Sequence, residues 1–286
     1  MDIHDLAPFA VPPLPQPDIR IESAVFSPKL PSNDKVINSG REVWLVVPDV
    51  IVFKIADGKT IIVYSLPGVP PRQWQPFLLG SAWNALCLQR GLLMLHAAVV
   101  GGSHGAYAIS GPSGAGKSTT AAQLTSYGMS LLSDDLCRVE PRLAEPFVYP
   151  SVPRMRLWGE TVRALGIDPS GLPRVLDGRD KYLVQSASTP IAEPLPLRGI
   201  FLLEWGKPEV IRIRGLQALS YLVRNSTYRP RIIQQMGMEA THWEQCLRLL
   251  HAVPLYVFRR SKNSGLVNSA SDLMSFLTSD CMDEAH

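Results

Sequence analysis

The chain has 286 residues, of which 46% are hydrophobic, and this is enough to bury the core of one large domain. Its formal net charge of +3 is too small to indicate nucleic acid or an anionic membrane surface as a partner. The four cysteines are isolated and show no zinc-ligand spacing, so we expect a reducing, cytoplasmic location. We also expect no membrane segment and no secretory signal, because the apolar stretches are too short.

Composition divides the chain into three predicted parts. Prolines are concentrated in AVPPLPQPD and predict a loose leader over residues 1–32. A run rich in β-branched residues follows, and within it Asp57-Gly58 separates two apolar stretches and predicts a hairpin. We therefore expect a small β-rich module over residues 33–72. Residues 73–286 alternate between strand-like and helix-like segments and predict an α/β domain.

The first half of the predicted α/β domain has clear periodicity. Apolar residues at helical spacing in FLLGSAWNALCLQRG predict a helix that Gly91 can end. A buried strand, LLMLHAAVV, contains His96, and a turn at GGSHG places the next strand, AYAIS, beside it. We then predict a helix in STTAAQLTSYG that ends at Gly128, and a short strand in MSLLSDD.

After Glu140 the patterns are weaker. We predict strands in RGIFLLEW and EVIRIRG, with each other as candidate partners, and helices in LQALSYLVRNS and MEATHWEQCLRLLHAV. The strand LYVFRR and the helix NSASDLMSFL complete the chain. We expect Trp158, Trp205 and Trp243 in the core rather than in a nucleotide site.

Residues 111–118, with the sequence GPSGAGKS, match the pattern G-x-x-x-x-G-K-[ST] at each fixed position. Glycines let backbone N–H groups approach an anion closely, and the following helix directs its positive end to the same place. In this pattern Lys117 reaches the β- and γ-phosphates, and the Ser118 hydroxyl binds magnesium.

Two aspartates follow at the end of the next predicted strand, 17 and 18 residues after Lys117. One helix and one strand would return Asp134 and Asp135 to the phosphate loop, where one carboxylate can hold magnesium and another can accept a proton. The alternative is a solvated turn. For His96 two interpretations stay open, a core histidine or a side chain that faces the γ-phosphate.

Three segments in this order, LHAAVV, GPSGAGKST and LLSDDLCRVE, resemble the kinase domain of HPr kinase/phosphorylase. That family shares its nucleotide-binding core with phosphoenolpyruvate carboxykinase. A looser similarity over residues 77–93 and 152–166 resembles the shorter HPr-kinase-like serine kinases found with peptide-modification genes. Some of those kinases phosphorylate a serine of a lasso-peptide precursor.

The resemblance implies an α/β fold with a P-loop core of the HPr kinase/phosphoenolpyruvate carboxykinase type, and ATP and Mg²⁺ as cofactors. The implied catalytic residues are His96, Lys117, Asp134 as proton acceptor, and Asp135, and Ser118 and Asp135 would hold the metal. The implied ATP-binding residues are Gly111, Pro112, Ser113, Gly114, Ala115, Gly116, Lys117, Ser118 and Thr119. The family also forms homo-oligomers.

The chain departs from the family downstream of the aspartates, where the family has a glutamate that serves the metal site and phosphorolysis. The corresponding segment, VYPSVPRMRLW, contains none. A kinase also needs cations to stabilise the transferred phosphoryl group, and we predict Lys181 and Arg229 for this role, with Arg154 and Arg156 as further candidates.

The predicted function is an ATP- and Mg²⁺-dependent kinase that acts on a serine or threonine hydroxyl of a protein or peptide. Two alternatives stay open. One is a small-molecule phosphotransferase or carboxykinase-like enzyme on the same core, and the other is a non-catalytic nucleotide sensor or assembly partner.

Overall fold

The computed structural model describes residues 18–24, 35–176, 178–261 and 265–279, and it has a mixed α/β fold with several sheets. The chain divides into two compact units, residues 1–94 with 228–242 and residues 95–227 with 243–286. Residues 73–94 are thus grouped with the β-rich segment that precedes them. Most of the predicted leader lies outside the described residues, but Arg20–Ala24 form a strand.

The smaller unit contains a five-stranded sheet in the order β1-β5-β4-β3-β2. Strand β1 pairs in parallel with β5, and the other neighbours are antiparallel. The predicted hairpin at Asp57-Gly58 is confirmed, because both residues have positive φ, 53° and 61°, between β4 and β5. The strands are β1 (Arg20–Ala24), β2 (Val36–Ser39), β3 (Glu42–Val47), β4 (Ile51–Ala56) and β5 (Thr60–Ser65).

Helices cover one face of this sheet. The predicted helix after residue 73 forms as α1 (Pro71–Phe77), a π-helical turn (Leu78–Ala82) and α2 (Trp83–Gln89). A later chain segment adds α6 (Pro230–Gln235) to the same unit. The apolar faces of these elements bury a common core that includes Phe53, Ile55, Ile61, Trp74, Leu86 and Ile232.

The larger unit is built on a mixed sheet whose strands run in the order β10-β11-β14-β8-β7-β9, with β16 on β14 and β15 on β16. Strand β14 pairs in parallel with both β8 and β16. The strands are β7 (Ala97–Gly102), β8 (Gly105–Ser110), β9 (Ser130–Ser133), β10 (Cys137–Glu140), β11 (Phe147–Tyr149), β14 (Leu195–Trp205), β15 (Glu209–Ile213) and β16 (Leu255–Arg260). A short strand, β6 (Leu93–Leu95), spans the boundary of the units.

The candidate pairing of RGIFLLEW with EVIRIRG is wrong. These segments are β14 and β15, and β16 lies between them, parallel to one and antiparallel to the other. Three helices, α5 (Gly215–Ser226), α6 and α7 (Glu239–Ala252), separate β15 from β16 in the chain. Strand β16 therefore reaches its place between β14 and β15 only after a long connection, so the sequence around β14 and β15 does not reveal it.

Three further helices and a two-stranded ribbon complete the larger unit. Helix α3 (Lys117–Ser126) packs against β7, β8 and α8 (Gly265–Thr278), and α4 (Gly159–Ala164) follows the ribbon strand β12 (Arg154–Trp158). Strand β12 pairs with β13 (Lys181–Gln185). None of the described helices has the length and apolar character needed to cross a membrane.

Candidate active site

The glycine-rich loop connects β8 to α3 at the carboxyl ends of the parallel strands β8, β14 and β16. Its glycines have φ values of 142° at Gly111, 81° at Gly114 and 89° at Gly116, which favour glycine over other residues. A Cβ atom at Gly111 would lie 3.1 Å from the Leu203 carbonyl oxygen. The predicted strand–loop–helix arrangement is therefore confirmed, and its location is the usual ligand-binding edge of an α/β sheet.

Lys117 is the first residue of α3, and its side chain turns back over the loop. The Nζ atom donates hydrogen bonds of 2.9 Å to the Gly111 carbonyl and 3.2 Å to the Pro112 carbonyl. Burial lowers the pKa of Lys117, while the carboxylates of Asp135 and Asp134 oppose this shift. The loop therefore holds a partly desolvated ammonium group at the start of α3.

Asp134 follows β9 and lies against the next residue of α3. Its Oδ1 atom accepts a 2.7 Å hydrogen bond from the Ser118 hydroxyl, and its Oδ2 atom accepts one of 2.8 Å from the Arg156 backbone N–H. Burial raises the pKa of Asp134 in spite of these hydrogen bonds. The predicted metal pair was Ser118 with Asp135, whereas the structure places Asp134 against Ser118.

Asp135 turns in another direction because its backbone is left-handed, with φ of 78°. Its carboxylate lies 2.7 Å from Arg156 Nη1 and 3.4 Å from His96 Nε2. Burial alone would raise the pKa of Asp135, but the hydrogen bond from His96 and the Arg156 cation hold it at about 2. Asp135 is therefore an ionised carboxylate over the whole physiological pH range.

His96 reaches this carboxylate because it lies between β6 and β7, not inside one continuous strand as predicted. Its backbone N–H donates a 2.7 Å hydrogen bond to the Ser226 carbonyl at the end of α5. The Ser110 hydroxyl, at the last position of β8, donates to the His96 carbonyl at 2.8 Å. These two contacts fix the backbone of His96 beside the start of the glycine-rich loop.

A cavity of about 620 Å³ opens beside the loop. It brings together many of the predicted site residues: His96, Ser113, Gly114, Gly116, Lys117, Ser118, Thr119, Asp135 and Lys181. Asp135 therefore faces the cavity, whereas Asp134 lies behind it against Ser118. The other predicted cation, Arg229, belongs to the smaller unit, where it precedes α6, and its role stays a prediction.

The cavity wall also contains side chains that were not predicted for the site. Two of them are Trp158 and Trp205, which are 44% and 47% exposed. Trp243 lies outside the cavity and is 53% exposed. The prediction that these three tryptophans lie in the core is therefore wrong. Trp158 and Trp205 each stand at the last position of a strand, which is the sequence feature that could have located them. Glu160, two residues beyond the segment that lacks a glutamate, lines the cavity as well.

Arg260 is the least expected member of the wall, because an arginine that is only 5% exposed at the end of a strand lies next to the loop. Its guanidinium donates from Nη1 to the Thr120 hydroxyl at 3.0 Å and from Nη2 to the Ala115 carbonyl. Burial lowers the pKa of Arg260 to about 10. The final arginine pair of LYVFRR, at a strand end, is the sequence signal for it.

Comparisons with known proteins give a likeness to solved structures. Neither a protein-family model nor a curated protein sequence matches the chain. Among solved structures, it is similar to the Hpr(Ser) kinase/phosphatase from Coxiella burnetii, with 14% sequence identity and a TM-score of 0.33. The match covers 64% of this chain and 97% of that chain.

Proposed function

We propose that this chain is an ATP- and Mg²⁺-dependent kinase that transfers the γ-phosphoryl group to a serine or threonine hydroxyl of a protein or peptide. The observation that carries the proposal is the pairing of Ser118 with Asp134 at 2.7 Å, beside Lys117 and the glycine-rich loop. A second carboxylate, Asp135, faces the same cavity. A phosphate cradle, a metal-type oxygen pair and a separate carboxylate are the parts that phosphoryl transfer requires.

The loop supplies the phosphate site. Its backbone N–H groups and the N-terminal end of α3 favour an anion, and the Lys117 ammonium group adds a full positive charge. Lys117 now donates to the Gly111 and Pro112 carbonyls, and on ATP binding it would donate to phosphate oxygens instead. A hydrogen bond between two charged groups is stronger than one to a neutral carbonyl. ATP would therefore bind with its terminal phosphates between Lys117 and the carboxylates.

The residues present fit magnesium. A hydroxyl and a carboxylate are hard oxygen ligands of the kind that Mg²⁺ prefers. Burial raises the pKa of Asp134, and a bound cation would lower it again because it stabilises the charged carboxylate. Ser118 and Asp134 would hold the ion. When bound, Mg²⁺ supplies positive charge against the phosphate oxygens. This assignment reverses the roles that the sequence suggested for the two aspartates.

Asp135 then serves the acceptor. The hydroxyl oxygen of the acceptor attacks the γ-phosphorus, the bond from this phosphorus to the β–γ bridging oxygen breaks, and ADP leaves. Asp135 accepts the hydroxyl hydrogen bond and takes the proton, while Arg156 and His96 fix the carboxylate. Because phosphoryl transfer depends mostly on positioning and charge, a weakly basic carboxylate is sufficient. Lys181, on the cavity wall, would stabilise the transferred group.

The experiment uses γ-phosphate-labelled ATP, Mg²⁺ and an extract of the source cells, with the wild-type protein and Asp135→Asn in parallel. Asp272→Asn, an exposed position on α8, is the matched control. Label on a polypeptide with wild type and the control, but not with Asp135→Asn, would support the kinase. Label on a metabolite would favour the small-molecule enzyme, and ATP binding without transfer would favour the nucleotide sensor.

A further inference from the structure

We propose that Trp205 is the stacking platform for the nucleobase of the bound nucleotide. This inference rests on the proposed function, since it concerns the same cavity, and it assigns the ligand's base to one end of that cavity. The ligand class is a nucleoside triphosphate whose base lies on an aromatic face and is not read by a set of hydrogen bonds.

The position of Trp205 is fixed by the sheet. Trp205 and Arg260 are register partners at the carboxyl ends of the parallel strands β14 and β16, and the next backbone N–H, of Gly206, donates to the Arg260 carbonyl at 2.9 Å. Trp205 is 47% exposed and lines the cavity together with Lys117 and Ser118. An exposed tryptophan held at a strand end offers a flat apolar surface that has a defined orientation.

Arg260 connects this ring to the phosphate loop. The guanidinium carbon lies 4.6 Å from the centroid of the Trp205 ring, while the same group donates to the Ala115 carbonyl and the Thr120 hydroxyl. Its Nε atom is buried and has no hydrogen-bond partner in the part of the chain that the structure describes. The Arg260 guanidinium group therefore separates the Trp205 ring from the loop. Its Nε atom is a hydrogen-bond donor that a bound nucleotide could pair with.

The direction of the nucleotide follows from the two ends of the cavity. The reacting phosphate must lie near Ser118 and the aspartates, so the rest of the nucleotide has to extend away from Asp135. Trp158, the other tryptophan of the wall, lies on the Asp135 side, because it follows Arg156 by two residues and pairs in register with Lys181. Trp158 thus lies next to the place of the acceptor hydroxyl. Trp205 is the tryptophan of the wall that can stack on the nucleobase.

The chemistry of the platform predicts weak base selectivity. Every nucleobase has a π-face, so stacking on an indole ring tolerates different bases, and removal of such a ring weakens binding by about 5–150-fold. We therefore expect ATP and GTP to bind with similar affinity. We also expect the platform to make no contribution to binding of a ligand that has phosphates and no base.

Calorimetric titration with ATP, GTP and inorganic tripolyphosphate, each with Mg²⁺, tests this on the full chain. Trp205→Ala should weaken ATP and GTP binding by a similar factor of about 5–150 and leave tripolyphosphate binding unchanged. Trp205→Phe should keep most of the affinity. Trp243→Ala, outside the cavity, is the matched control and should not change nucleotide affinity, whereas Trp158→Ala tests the other ring of the cavity wall.

Three outcomes would overturn the inference. Unchanged ATP affinity in Trp205→Ala would show that the base does not stack on Trp205. A loss of ATP affinity confined to Trp158→Ala would show that the base stacks on Trp158 instead. Loss of tripolyphosphate binding in Trp205→Ala would mean that Trp205 only supports the loop through Arg260. Failure of wild-type protein to bind tripolyphosphate at all is a different result, because it would reject the phosphate site and the proposed function with it.

Discussion

The Ser118 hydroxyl donates a 2.7 Å hydrogen bond to the Asp134 carboxylate, although the two residues are 16 positions apart in the chain. Helix α3 leads away from the loop, and β9 returns to it, so the two side chains meet at the same edge of the sheet. The second carboxylate oxygen accepts the Arg156 backbone N–H. Asp134 therefore has a fixed orientation before any ion binds, which favours it as the metal-side carboxylate.

The first prediction concerns Asp134→Asn without and with magnesium. Burial raises the pKa of Asp134 above its ordinary value of 3.8, so its contribution to stability is greatest below that value and is lost as pH rises through the folded pKa. At neutral pH the charged form is thus unfavourable in the folded protein. We expect the variant to melt at a higher temperature than wild type in metal-free buffer.

In the same thermal scans, added Mg²⁺ with ATP should stabilise wild type and have little effect on Asp134→Asn. Asp272→Asn should behave as wild type in both buffers. A variant that melts lower without metal, and still responds to Mg²⁺ and ATP, would contradict the metal-side role of Asp134.

The second prediction separates the two aspartates by kinetics. Asp135→Asn should lower kcat by about 10²–10⁴-fold and leave ATP affinity almost unchanged, because it removes the group that accepts the hydroxyl proton. Asp134→Asn should weaken Mg²⁺-dependent ATP binding as well as turnover. Single-turnover rates and ATP titrations of both variants provide the measurement, and the opposite pattern would restore the roles suggested by the sequence.

The division between the aspartates is not readable from sequence, and its physical reason is the backbone of Asp135. Two adjacent carboxylates diverge because Asp135 has φ of 78°, so one side chain meets Ser118 and the other meets Arg156 and His96. The glycine-rich loop, its flanking strand and helix, and the Asp57-Gly58 turn were predictable, since each depends on residues next to one another in the chain.

The cavity wall was harder to predict, because contacts between distant segments build it. Arg260 reaches the Ala115 carbonyl only because β16 pairs with β14, and the connection between these strands contains β15 and three helices. Trp158 and Trp205 end strands at the cavity wall, where their large side chains stay partly exposed. Hydrophobicity alone assigns such residues to the core, which is why that expectation failed.

The third prediction concerns the charge of Arg156. Its guanidinium helps to hold the pKa of Asp135 at about 2, below the ordinary value of 3.8, so this pair contributes stability above pH 3.8 that is lost as pH falls through about 2. Arg156→Gln removes the cation, so burial is opposed mainly by the His96 hydrogen bond and the pKa of Asp135 rises. We expect the acid limb of the pH–rate profile and the acid-unfolding midpoint to move to higher pH.

Arg156→Lys is the matched control, because it keeps the positive charge, and it should lie between wild type and Arg156→Gln. The hydrogen bond to Asp134 comes from the Arg156 backbone and should survive both changes. Equal acid limbs in all three proteins would show that Arg156 does not set the ionisation of Asp135.

The fourth prediction compares two glycines of the loop that have similar backbone angles and different surroundings. Gly114 has φ of 81° with no atom within 4 Å of an added Cβ, whereas Gly116 has φ of 89° and its Cβ would lie 3.3 Å from Arg260 Nη2. A left-handed backbone costs about 1–2 kcal/mol at a residue with a Cβ. Gly114→Ala should lower the free energy of unfolding by about this amount, and Gly116→Ala by more.

The excess for Gly116→Ala has a specific origin that a double-mutant cycle can isolate. In an Arg260→Ala background the guanidinium is gone, so Gly116→Ala should then have the same effect on unfolding as Gly114→Ala. Urea unfolding of the single and double variants measures the four free energies. If Gly116→Ala still costs more unfolding free energy than Gly114→Ala without the Arg260 side chain, the extra strain lies in the loop backbone and does not come from the guanidinium.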